Sequence, residues 1–64
     1  MLQTQTPISE TLENICVRMA RLDRELAVGE RKQYHSEVFI KELCELARVD
    51  YEPYLKLYRG EMGR

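Results

Sequence analysis

Several things that would announce a function are missing from this sequence. No apolar run exceeds three residues, as at Val38-Phe39-Ile40, where a membrane span needs about twenty. The opening Met1-Leu2-Gln3-Thr4-Gln5-Thr6-Pro7 has neither a basic stretch nor an apolar one of the kind a secretory signal carries, so a cytosolic protein is expected. Cys16 and Cys44 stand alone without C-x-x-C spacing, and the single histidine, His35, has no partner at a metal-ligand interval. Neither metal nor cofactor is expected, and the two cysteines read as buried, reduced thiols packing as small hydrophobes. There is no glycine-rich phosphate loop, no Ser/His/Asp set and no paired-carboxylate context, so catalysis is not expected either. Ten Lys and Arg against eleven Asp and Glu give a net charge of -1, which offers no overall attraction to nucleic acid or to an anionic membrane.

What is present is helical periodicity around one corner. Sixty-four residues make one small domain, and a chain this short buries only about 60% of the surface that its unfolded form exposes. Such chains commonly draw stability from a second chain, so a protein partner or a homodimer is expected. The corner is Arg24 to Tyr34. Apolar residues recur at helical spacing up to Leu26, and Gly29 is the only glycine before residue 60. Gly29 therefore reads as the left-handed cap that ends a first helix.

Residues 1–5 are polar and unpatterned and read as a disordered tail; one domain then spans 6–59, with 60–64 frayed. Thr6-Pro7 reads as an N-cap followed by proline at the first helical position. Ile8, Leu12, Ile15, Met19, Leu22 and Leu26 follow at steps of four and three, a heptad seam covering only about 80° of the helical wheel. One neighbouring helix suffices for it, and the simplest is the next segment folded back. That segment starts between Glu30 and Ser36 and runs to about Arg48. Its apolar residues spread over roughly 240°, far more than one neighbour can cover. Antiparallel pairing about residue 30 sets Leu26 by Tyr34, Leu22 by Phe39, Ile15 by Leu46 and Cys16 by Cys44, the last level enough for a disulfide under oxidation if the two Cα atoms come within about 7 Å.

Asp50 is a good N-cap and Pro53 fits a first helical turn, so a third helix is expected from Tyr51, ending at Gly60. Tyr51, Tyr54, Leu55 and Tyr58 share one of its faces. Tyrosines in such a stripe either cap the hairpin or form an interface hot spot. Glu37, Lys41 and Glu45, and likewise Arg21 with Glu25, read as solvated i,i+4 pairs. Phe39 to Arg59 also fits a helix-turn-helix of a small DNA-binding regulator, with Val49, Tyr54 and Leu57 inward, although Arg48 stands where glycine is usual and only Lys56 and Arg59 are basic on the second helix. A homodimeric RNA-binding hairpin using Arg18, Arg21, Arg24, Arg31 and Lys32 is a further alternative.

Taken together, Arg24, Glu25, Leu26, Gly29, Gln33 and Tyr34 resemble the corner of the small co-chaperones of the type III secretion needle subunit. The pattern is a charged-Leu stretch, a glycine, a few polar residues, then Gln-Tyr opening a second helix. The likeness covers roughly residues 16–47. It implies a cytosolic helical hairpin that pairs with a tetratricopeptide-type chaperone to hold the needle subunit before export.

The expected fold is thus an all-α antiparallel hairpin with a short third helix, acting by binding. Its expected hairpin core is Ile15, Met19, Leu22, Leu26, Tyr34, Phe39, Leu43 and Leu46. Its expected protein-binding surface is Val38, Ile40, Cys44, Ala47, Tyr51, Tyr54, Leu55 and Tyr58.

Overall fold

The computed structural model describes residues 8–63. The polar tail and the Thr6-Pro7 start expected from the sequence lie outside that range, as does Arg64. Three helices, α1 (Ile8–Leu26), α2 (Glu30–Ala47) and α3 (Glu52–Glu61), make up an all-α fold. Glu10 in the first turn of α1 and Arg24 in its last suit the helix dipole. The hairpin of α1 and α2 and the short third helix are as expected, and α2 occupies the expected segment.

Both long helices end in the same hydrogen-bonded motif, and neither uses glycine. At the first corner Ala27 takes the left-handed conformation, with φ 52°. Its amide donates to the Arg24 carbonyl at 3.1 Å, and the Val28 amide to that of Asp23 at 3.1 Å. The second repeats this at Arg48, with φ 60°, its amide bonded to Glu45 and that of Val49 to Cys44. Both are Schellman turns. Gly29, expected to hold the left-handed cap, is instead extended at φ -79° and caps the start of α2, with open space where a Cβ would stand.

Asp50 does help to start α3, its carboxylate accepting the Glu52 amide at 3.3 Å, with Pro53 in the first turn where no amide is needed. The helix begins one residue later than expected and runs through Gly60 to Glu61. This end is held rather than frayed: Arg24 donates to the Glu61 carbonyl at 2.8 Å, and Met62 packs on the core.

The core joins Leu12, Cys16 and Ala20 of α1, Ile40 and Cys44 of α2, and Tyr54, Leu55 and Tyr58 of α3. Here the structure corrects the expected packing. Leu22, Leu26, Tyr34, Phe39 and Leu46 are exposed, Leu46 by 82% and Leu26 by 72%, and Ile15, Met19 and Leu43 are half-buried. On α1 the buried line Leu12, Cys16, Ala20, Asp23 is turned by roughly 75° from the heptad seam. The cause is α3. It packs more extensively on α1 than α2 does, so α1 must face the groove between two neighbours. Cys16 and Ala20 are small enough to let that approach happen, whereas the bulky seam residues are not.

Candidate functional site

Two features stand out, one inside the molecule and one outside. The inner one is a carboxylate shared by all three helices. Asp23 of α1 is 3% exposed. One carboxylate oxygen accepts the Tyr58 hydroxyl at 2.6 Å and the Ser36 hydroxyl at 2.7 Å. The other accepts the Lys32 ammonium at 2.9 Å, which also reaches the Ser36 oxygen at 3.3 Å. Burial alone would push this carboxyl up, but the hydrogen bonds from Tyr58, Ser36 and Lys32, together with the Lys32 charge, hold it below the ordinary carboxylate range. Tyr58, desolvated and donating to an anion, is pushed up to about 12. With both oxygens engaged by donors, the carboxylate works as a cross-link: charge-assisted bonds from two other helices converge on it.

Sequence reading missed Asp23 and Ser36. Asp23 continues the line of Leu12, Cys16 and Ala20, and a buried tyrosine hydroxyl needs an acceptor. Those two signals could have paired Tyr58 with it. Of the two readings of the tyrosine stripe, interface or cap on the hairpin, burial of Tyr54 and Tyr58 in the core fits the cap.

The outer feature is an apolar face. Leu22 and Leu26 project from α1, 54% and 72% exposed, beside half-buried Ile15 and Met19. Met19 lines a shallow depression together with Lys32, His35, Ser36 and Phe39, so the face continues onto α2 through Phe39, which is 47% exposed. Hence the expected assignments exchange places. Of the expected binding surface, Ile40, Cys44, Tyr54, Leu55 and Tyr58 are core, Val38 and Ala47 are half-buried, and only Tyr51 is exposed. Tyr51 lies under the Lys41 ammonium, 5.2 Å from the ring centroid.

The charged pairs rearrange as well. Glu37 takes a bidentate pair from Arg59 of α3, at 2.8 and 3.0 Å, a partner the i,i+4 pattern did not indicate. Arg21 approaches Glu61 at 4.0 Å rather than pairing with Glu25. Of the expected basic cluster, Lys32 is committed to Asp23 and Arg24 to the Glu61 carbonyl.

Cys16 and Cys44 are both buried as free thiols in the core. Burial, with the neighbouring Cys44 and Glu13 adding to it, pushes the Cys16 thiol up to about 11; burial and then Asp50 push Cys44 up too. Among the described residues, no group of three or more His, Cys, Asp or Glu could hold a metal ion, and no helix is long and apolar enough to cross a membrane. Comparison with protein families, with curated proteins and with solved structures finds no match to this chain.

Proposed function

We propose that this chain acts by holding another protein stoichiometrically, as a small co-chaperone does. The observation that supports this is the open apolar face of α1 and α2, where large side chains stand exposed at helix-packing intervals while α1 turns Cys16 and Ala20 to the core. A domain that spends Leu22, Leu26 and Phe39 on its surface has a ready groove for an amphipathic helix. The resemblance at the corner suggests the specific form: a cytosolic partner of a tetratricopeptide-type chaperone, the two together shielding a secretion needle subunit. In this reading the contacts come from α1 and α2, and the tyrosine helix serves the fold.

The test is co-purification from the native host with the tagged chain, its Leu22→Asp and Phe39→Asp variants, and a Lys56→Gln/Arg59→Gln variant. Both apolar variants should lose the partner with unchanged helical circular dichroism, and the last should keep it. A partner retained by both apolar variants would sink the reading.

A second reading, a helix-turn-helix DNA regulator, is favoured by one observation. Arg48 adopts the left-handed conformation that glycine usually supplies in that turn, and Val49 and Leu57 pack on the core with Tyr54 buried. Against it, α3 presents Glu52 and Pro53 at its leading end, and Arg59 is held by Glu37. Mobility shifts on random duplex at low salt decide it. A DNA reader binds, and loses about two units of salt slope in the Lys56→Gln/Arg59→Gln variant.

A further inference from the structure

We propose that two copies of this chain pair through α1, antiparallel, about a two-fold axis that runs between the two helices, level with Ala20 and Arg21. The proposal names a second copy as the occupant of the apolar face when no foreign protein is bound; it rests on the binding reading given above, and a foreign helix would displace the copy from that face.

Its ground is a self-complementarity within α1. The outward residues Ile15, Met19, Leu22 and Leu26 step by four, three and four, a spacing that is the same read in either direction. Laid antiparallel on a second copy, Met19 meets Leu22 and Ile15 meets Leu26, and symmetry repeats both contacts. That gives four consecutive apolar layers, the packing of a coiled-coil seam.

Charge fits the same register. Arg18 and Glu25 flank the seam on the side away from α2, both are exposed, and neither has an ion-pair or hydrogen-bond partner among the described residues. The antiparallel register sets Arg18 of each copy beside Glu25 of the other.

The position of α2 selects the direction. Lys32 and Ser36 bond to Asp23, so α2 lies on the opposite side of the seam from Arg18 and Glu25. An antiparallel two-fold keeps both α2 helices on one side, facing each other. Phe39 shares its depression with Met19, beside the axis, so the two Phe39 rings approach across it. A parallel pairing would send the α2 helices to opposite edges and leave Phe39 uncovered. The result is a four-helix layer of the usual ridge-and-groove kind, α1 and α2 of one copy on those of the other.

The experiment is sedimentation equilibrium of the full chain over a concentration series at low salt. The expected result is a dimer. Leu22→Asp should be monomeric with unchanged helical circular dichroism, because Leu22 is exposed in the single copy. Arg18→Glu and Glu25→Arg should each weaken the dimer by roughly tenfold, and Arg18→Glu/Glu25→Arg in one chain should restore it, because the swapped charges face each other again. A wild-type chain that stays monomeric throughout overturns the pairing, as does a double swap no better than the single variants. The binding reading fails separately. A monomer whose foreign partner is lost in Leu22→Asp refutes the pairing and leaves that reading standing. A dimer with restored charge swaps whose foreign capture ignores Leu22→Asp refutes that reading and leaves the pairing.

Discussion

The two flanks of α1 are made of opposite materials. The inward flank is Leu12, Cys16, Ala20 and Asp23, mostly small and including a charge, and it is buried; the outward flank is Ile15, Met19, Leu22 and Leu26, all large and apolar, and it is half or fully exposed. Hydrophobicity alone would bury the outward one. What decides is geometry: α1 has two neighbours, and only a flank of small residues lets both approach while Asp23 finds three donors. Side chains as large as Leu22 are then free for another molecule.

The sharpest way to break this contrast is Tyr58→Ala, which removes a buried ring and a donor to Asp23 together. It should cost about 3–5 kcal/mol, enough to unfold a domain of this size, as a chemical denaturation series would show. Tyr58→Phe isolates the hydroxyl. A hydrogen bond to a charged acceptor is worth about 1.5–3 kcal/mol, so its midpoint should fall by less than that of the alanine variant.

Acid probes the same carboxylate. Asp23 titrates below its ordinary value in the folded state, so the stability it supplies is present above the unfolded pKa of about 4 and disappears as pH falls through the folded value. Thermal melts taken to progressively lower pH from that unfolded value should show a loss of stability that Asp23→Asn flattens. At the alkaline end the sign reverses. Tyr58, raised from 10.0 to about 12, supports folding fully below the lower value and ceases to as pH rises through the upper one.

Smaller effects belong to the corner. Ala27 is left-handed with a Cβ, so Ala27→Gly should stabilise the fold by up to about 1 kcal/mol, whereas Gly29→Ala should be close to neutral because Gly29 is extended with open space around it. The smallest change is on the outer flank. At concentrations where the chain is monomeric, Leu22→Lys should move the melting midpoint by an amount worth under about 0.5 kcal/mol. A large drop there would mean that the outward flank is core after all.

Much of the architecture was legible in the sequence, and one rotation was not. The three helices, the segment that α2 occupies and the antiparallel level of the pair follow from periodicity and from the Asp50 and Pro53 break; Asp23 meets Ser36 where a pairing centred near residue 30 puts them. The facing sides escaped because the seam of large residues is the stronger hydrophobic signal, and the reading gave α1 one neighbour. Only the return of α3 makes the Cys16 and Ala20 line the better one. The cap at Gly29 was misread for a related reason. Glycine is the usual left-handed residue, yet the hydrogen bonds from Ala27 and Val28 close the turn two residues earlier.

The shared carboxylate also bears on how the molecule comes apart. Peeling away α3 would leave Asp23 without its Tyr58 donor, and peeling away α2 would remove Ser36 and Lys32 at once. Either breaks charge-assisted hydrogen bonds, each worth about 1.5–3 kcal/mol, and strips the core of a helix that covers it, together a large part of what a domain this small has in total. No two-helix fragment is therefore a resting place. The three helices should open as one cooperative unit, with the slowest-exchanging amides of all three giving way together at the global free energy and no separate step for the hairpin.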